Sequence, residues 1–531
     1  MLRPRKYTGP KLDNSISIEV RLFLACLSGV LLTLSFPRFS LAPLAWLALV
    51  PFFVSIQGQK PRTAALFGLL FGVVHFAGLL YWVTTAMRLY GHLSTLVSIS
   101  ILLLLVVYLA LYFAGFAFSL ALTEKAGLSL VAAAPALWVS FEYLRSILFT
   151  GLPWENLSYS QYATLSLIQV SDITGNYGIS FYIVMANSLL GMLFYKRRSR
   201  RKTSSLKKSV MAFLVVSLAF WSYGYYRLKD IERKIAKSPT IEAAVIQGNI
   251  RQDIKWDQLR QRETIDIYSR LSRKAAESSH AEVIIWPETA VPFCFGEDAP
   301  LSREVKDLSR ELNCYLLFGA PCYEKRGVDE TLLFNSAFLL SPAGSALGRY
   351  DKIHLVPFGE YVPVRSLLPF AGKLVASVGD FAPGGDQKPF PAGKVRIGAL
   401  ICFESIFPEL ARKQVLQGAN FLVTMTNDAW FGRSSAPYQH MSMSVFRAVE
   451  NRVSLARAAN TGISTFVEPS GKITRSTAIF EEGFLRETLP VMSEKTIYTR
   501  WGDVFPLVCI VFAALMIMYS KWRNKNYVVG A

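Results

Sequence analysis

Residues 398–405 read GALICFES, and the longer run VRIGALICFES (395–405) has the pattern of a buried β-strand until Cys402, Phe403 and Glu404 break it. A thiol and a carboxylate at the tip of a core strand are out of place in a purely structural element. In α/β proteins, ligands collect beyond the carboxyl ends of strands, where loops present side chains. Two other strand-like runs end in the same way. AEVIIWPET (281–289) stops at Pro287 and Glu288, and ANFLVTMTNDAW (419–430) runs into Asn427 and Asp428. Polar residues have gathered where a site would be.

Working outward, further strand-like runs lie at 241–250, 314–321 and 333–341. A charged amphipathic helix is expected over 256–279, another helix near 438–452, and a strand pair about the Pro-Ser-Gly turn of STFVEPSGKITR. Strands alternate with helices, so residues 240–490 are expected to form an α/β domain. The continuous apolar strands imply sheets buried on both faces.

The rest of the chain has a different texture. Of 531 residues, 52% are hydrophobic and only 18% charged, a membrane-like composition. One helical crossing of a bilayer needs about 20 apolar residues. Crossings are expected near 20–36, 41–57, 64–84, 93–121, 128–149, 176–195 and 209–226, which makes 1–230 a seven-helix membrane domain. An eighth, VFPLVCIVFAALMIMYS (504–520), gives a closing transmembrane helix at 503–520. The first run lacks a small-x-small cleavage site and reads as a retained anchor.

A net charge of +19 could suggest nucleic acid, but the basic residues cluster between apolar runs, where they act as topology signals. Arg3, Arg5, Lys6 and Lys11 precede the first crossing, KRRSRRKTSSLKK follows the sixth, and Lys521, Arg523 and Lys525 follow the eighth. Eight crossings put all three clusters on the cytoplasmic side and the 240–490 domain outside. No nucleic-acid partner is expected. The six cysteines form no CxxC pair and the five histidines no metal-ligand spacing, so no metal is expected, and no phosphate-binding glycine loop appears. Spacing alone assigns no disulfide among Cys294, Cys314 and Cys322.

Three residues carry the chemistry. Glu288 sits in WPET, Lys352 in YDKIHLVPFGEYVP, and Cys402 in ICFES. Taken singly, they read as a turn glutamate, a solvated lysine and a small buried hydrophobe. Alternation along a strand would put Glu404 on the same face as Cys402. Together the set resembles the Glu-Lys-Cys apparatus of the nitrilase superfamily. VPFGEYVP and TNDAWFG, with many crossings around one soluble domain, narrow the likeness to the apolipoprotein N-acyltransferase family.

That resemblance implies an αββα sandwich beside the membrane bundle and a location in the bacterial inner membrane, with the sandwich on the periplasmic side. It implies an acyltransferase working by ping-pong, without a cofactor, through a Cys402 thioester. The donor would be a membrane phospholipid and the acceptor the α-amino group of a diacylated apolipoprotein, as in the last step of lipoprotein maturation. Glu360, Glu404 and Trp256 match supporting positions of the family. Phe403 stands where the family has tyrosine, so a packing role survives and a hydroxyl role does not.

Pro153 and Trp154, in GLPWENLSYSQ (151–161), could rim a lipid portal, and Asn156 matches a glycosylation acceptor. The apolar-rich stretch 363–382 could form a lid. Two rival readings are a membrane-tethered amidase hydrolysing a small amide, which the same three residues would serve, and a transporter. A transport path would need ionisable residues inside the membrane, and the candidates Glu142, Arg145 and Asp172 sit near predicted ends or interfacial stretches.

Overall fold

The computed structural model describes residues 16–198, 204–277, 281–296, 300–326, 330–361, 380–385 and 387–529. The expected lid at 363–382 lies almost wholly outside the described residues, as does the N-terminal basic cluster. Long helices run over Ile18–Leu34, Pro61–Leu80, Thr95–Lys125, Leu130–Ile147, Tyr177–Arg198, Ser204–Ile235 and Val504–Val529. Among the described residues, five spans are long and apolar enough to cross a bilayer: Pro61–Leu80, Thr95–Lys125, Tyr177–Phe194, Leu206–Ile235 and Val504–Lys525. Gly68 lets two of these helices touch backbone to backbone, since a Cβ there would come within 2.5 Å of the Phe113 carbonyl oxygen.

The segment expected as a crossing at 41–57 is not one helix. It is a 3-10 turn, Ala42–Trp46, and a short helix, Val50–Ile56, because Pro43 and Pro51 each begin a new turn. A break in apolar surroundings leaves backbone groups that need partners. Asn187 supplies them: its Oδ1 accepts from the Leu49 N–H at 2.9 Å, and its Nδ2 donates to the Ala45 carbonyl at 2.9 Å.

The region between the last two long helices holds two six-stranded sheets. The first has order β12-β1-β2-β3-β4-β5, from β1 (Thr240–Gln247), β2 (Val283–Ile285), β3 (Tyr315–Arg326), β4 (Glu330–Leu340), β5 (Ala346–Asp351) and β12 (Gly483–Pro490). The second has order β11-β10-β9-β8-β7-β6, from β6 (Phe390–Ala392), β7 (Val395–Ile401), β8 (Phe421–Thr426), β9 (Ser454–Ala459), β10 (Thr465–Val467) and β11 (Ile473–Ser476). β1, β2 and β3 are parallel, as are β7, β8 and β9, and the remaining pairs are antiparallel.

The inner faces meet through Ile241, Val283, Leu317 and Leu339 on one side and Ile397, Ile401, Val423 and Ala456 on the other. Helices Gln261–Glu277 and Pro300–Glu311 cover the outer face of the first sheet, and Pro408–Leu416 and Ala436–Asn451 that of the second. Four layers result, αββα. The apolar core over the second sheet continues without a break into membrane-side residues such as Trp82, Leu157 and Tyr159. Ala436–Asn451 therefore has no solvent side, and every residue in it except Tyr438 is buried.

Polar contacts stitch that helix layer to the membrane helices. Gln439 Oε1 accepts from Trp82 Nε1 at 3.1 Å and Trp154 Nε1 at 2.9 Å, and Arg447 donates to Tyr159 Oη at 2.9 Å. Arg452 donates to Asp172 at 2.8 Å and to Gln169 Oε1 at 2.7 Å, while Arg227 reaches the same Asp172 at 2.7 Å. The ionisable residues considered for transport are thus structural. Glu142 accepts from the Leu157 N–H at 2.7 Å, and Arg145 donates to the carbonyls of Leu152 and Trp154 and to Asn156 Oδ1, so both fold the 151–161 segment. Asn156 is fully buried in these bonds, which removes it as a glycosylation acceptor, and Trp154 is packed under the sandwich rather than displayed at a bilayer surface.

Candidate active site

β2 delivers Glu288. Trp286 still pairs with β3, its N–H donating to the Leu317 carbonyl at 2.8 Å, and Pro287 then ends the ladder. Gly319 lets β3 pass this corner, since a Cβ there would lie 2.4 Å from the Thr289 nitrogen. β5 delivers Lys352, whose N–H donates to the Asn335 carbonyl at 2.8 Å. The turn that follows folds Glu360 back, and the Val356 N–H donates to its carboxylate at 2.8 Å.

β7 ends at Ile401, and Cys402–Ile406 is a 3-10 turn with Cys402 in left-handed backbone, φ +53°. An L-residue held there is strained, a feature that clusters at functional sites. The turn corrects the expectation for Glu404, which does not share a strand face with Cys402. It bends beneath the chain and accepts from the Ile401 N–H at 2.7 Å, the Ile353 N–H at 2.6 Å, the His354 N–H at 3.2 Å and the Tyr350 hydroxyl at 3.0 Å. Glu404 thereby clamps the Cys402 turn to the Lys352 segment.

The three sequence-identified residues come together. Lys352 Nζ lies 3.7 Å from Glu288 Oε1 and 2.9 Å from Glu360 Oε2. Asn335 Nδ2 donates to both carboxylates, at 2.8 Å to Glu288 and 3.0 Å to Glu360. The end of β8 supplies the link to the thiol. Thr426 Oγ1 donates to Cys402 Sγ at 3.3 Å, and the next residue, Asn427, donates its N–H to Glu288 Oε2 at 2.9 Å. Adjacent residues thus touch the thiol and the carboxylate.

Burial, then the charge of Glu288, pushes the Cys402 thiol well above its ordinary range, with Lys352 pulling the other way. Burial opposes the charge on Lys352, yet Glu360 and Glu288 outweigh it and hold the ammonium above its usual range. Burial pushes Glu404 up to about 7 against its backbone hydrogen bonds. The resting group is thus a protonated thiol beside a charged lysine.

Of the supporting residues, Phe403 packs edge-on against Phe407 at 5.1 Å, beside His354 at 5.8 Å, which fits its packing role. Trp256 is half-buried, and its Nε1 has no hydrogen-bond partner. Sequence reasoning missed Asn335, Thr426, His440 and Lys255. Asn335 left a signal, an amide inside the apolar run LFNSAFLLS. His440 left none: its Nε2 lies 3.1 Å from the Cys402 carbonyl and its Nδ1 lies 3.1 Å from Asp428, which Arg457 holds at 2.7 Å.

Two mixed sheets between helical layers, with a carboxylate, an ammonium and a thiol at neighbouring strand ends, define the carbon-nitrogen hydrolase class. Residues 242–496 match the family described as Carbon-nitrogen hydrolase, and residues 28–189 match Apolipoprotein N-acyltransferase N-terminal domain. An apolipoprotein N-acyltransferase from Geobacter metallireducens is 48% identical over 503 residues, 95% of each chain. One from Methylococcus capsulatus is 32% identical over 516 residues, 95% of this chain and 97% of the relative. A solved amidase from Nesterenkonia sp. covers 50% of this chain and 92% of its own at 20% identity and a TM-score of 0.35, too slight a likeness to bear on the reading. The chain belongs to the apolipoprotein N-acyltransferase family.

Proposed function

We propose that this chain transfers a fatty acyl group from a membrane phospholipid, through a thioester on Cys402, to the α-amino group of the diacylglyceryl-cysteine that begins an apolipoprotein. The observation that carries the reading is the pair Thr426 and Asn427, adjacent residues that hold the thiol and Glu288 in one place. Glu288 takes the Cys402 proton as sulfur bonds to the ester carbonyl carbon. Negative charge develops on the former carbonyl oxygen, and Lys352 is the fixed positive charge beside it. The ester C–O bond breaks, the proton passes to the departing oxygen, and a lysophospholipid leaves. In the second half the amine attacks the thioester, its proton returns through Glu288, and the thiol is restored.

Two lipid-anchored substrates need not meet at once in such a ping-pong scheme. The apolar core shared by the second sheet and the membrane helices supports transfer over hydrolysis of a small amide, because the neighbours of Cys402 in sequence, Leu400, Phe403 and Ile406, pack in it, while Cys402 itself lies on the inter-sheet side. The Lys and Arg clusters at 196–208 and 521–525, at the far ends of the two helices that join the sandwich, support the sandwich on the periplasmic side of a bacterial inner membrane. The test is N-acylation of a diacylated lipopeptide by purified protein in phospholipid micelles. Cys402→Ser is expected to be inactive yet normally inserted, and a fully active Cys402→Ser protein would end the proposal.

A further inference from the structure

One buried cation in the pocket has no part in that scheme. Lys255 is 1% exposed, and among the described residues its Nζ makes a single hydrogen bond, to the Glu288 carbonyl oxygen at 3.0 Å, and no ion pair. The titratable groups that act on it are Glu288, and Cys402 once its thiol ionises. Its segment is tied to the site a second time, since Gln252 Oε1 accepts from Asn427 Nδ2 at 2.6 Å, and Asn427 in turn holds Glu288. Enclosing an ammonium without a carboxylate partner is costly, and its retention calls for an electrostatic reason.

The charges around the thiol supply that reason. Glu288 and Glu360 place two carboxylates against Lys352, and Glu404 adds a third that burial leaves partly protonated at neutral pH. Asp428, which also acts on Cys402, is matched by Arg457. With Arg457 so matched, Lys352 alone is one cation against the other carboxylates. Passing the Cys402 proton to Glu288 keeps the sum unchanged but moves negative charge onto sulfur, and attack then moves it onto the carbonyl oxygen. A second cation lowers the energy of both states. Lys352 contributes less to them than a free ammonium would, because Glu360 already neutralises it.

We propose that Lys255 is the second cation of this site, a positioning residue that favours the thiolate and the oxyanion through its charge while fixing the Glu288 backbone through its hydrogen bond. The inference rests on Cys402 being the nucleophile. Burial pulls Lys255 down to about 8, against Glu288 and Cys402, so its charge is present at neutral pH and is lost in the mildly alkaline range.

The experiment is the pH dependence of Cys402 alkylation by iodoacetamide in full-length protein in phospholipid micelles, read by peptide mass spectrometry. Lys255→Gln keeps a donor for the Glu288 carbonyl without the charge, and Lys255→Arg keeps the charge. Lys255→Gln is expected to alkylate about tenfold more slowly than the parent at neutral pH, with the two profiles converging above about pH 8, where Lys255 itself loses its charge. Lys255→Arg is expected to recover most of the difference. An alkylation profile of Lys255→Gln that coincides with the parent overturns the inference, whatever the variant's overall activity. Failure of Cys402 to alkylate in the parent while acyl transfer proceeds would instead overturn the reading of Cys402 itself.

Discussion

At the scale of single residues, the site depends on donors shared between charges. Asn335 Nδ2 serves both Glu288 and Glu360, and its own Oδ1 is buried without a partner. Asn335→Ala leaves two carboxylates short of a donor, at a cost of about 1–3 kcal/mol. The expected result is a lower kcat for N-acylation with a smaller change in KM. Lys352→Ala is expected to slow acylation of Cys402 about a hundredfold, roughly 3 kcal/mol in the barrier, without weakening lipid binding; single-turnover kinetics with a labelled phospholipid measure both. Glu288 and Cys402 were legible because each breaks an apolar strand at its end, and Lys352 because YDKIHLVPFGEYVP completes the set those two begin. Lys255 and His440 were not, since one sits in an irregular segment and the other in a helix, and only the fold brings them to the strand ends.

At the scale of elements, the Cys402 turn is held from below by a buried charged layer. Asp428 is held down to about 2: burial alone would raise it, but Arg457 and His440 outweigh burial. A carboxylate depressed in the folded state contributes stability that is present above about pH 4 and is lost as pH falls toward 2. That contribution is about 2 kcal/mol. Asp428→Asn is expected to lower the thermal midpoint at neutral pH, because Arg457 loses its counter-charge, and to flatten the acid limb between pH 4 and 2. Most strands of the sandwich were readable as apolar runs with turn residues between them. β5, β6, β9 and β12 were not, because β6 is three residues long, β9 carries Arg457 inside the core, and β5 (ALGRYD) and β12 (GFLRETLP) have charged residues in their runs. The broken segment at 41–57 read as one crossing because hydropathy ignores where Pro43 and Pro51 restart the backbone.

At the scale of the whole molecule, the sandwich and the membrane helices are one body. Asp172 is the knot, since it answers Arg227 and Arg452 together with side chains almost wholly buried. Asp172→Ala leaves Arg452 with no carboxylate among the described residues, while Arg227 keeps Asp230 and Glu494, and removing one member of a buried pair costs about 3–5 kcal/mol. The expected outcome is a clear fall in the unfolding temperature in micelles while the Cys402 chemistry persists below it. Composition foretold a membrane part and a soluble part. It could not foretell that Ala436–Asn451 would be buried on all sides, because that needs both parts in place. The central claim is that Cys402 carries the acyl group between two lipids, and mass spectrometry of the intact protein purified from membranes tests it most directly. A fatty-acyl adduct that maps to the Cys402 peptide and is removed by hydroxylamine is the predicted result. N-acylation proceeding with no adduct on Cys402, or undiminished in Cys402→Ser, would contradict it.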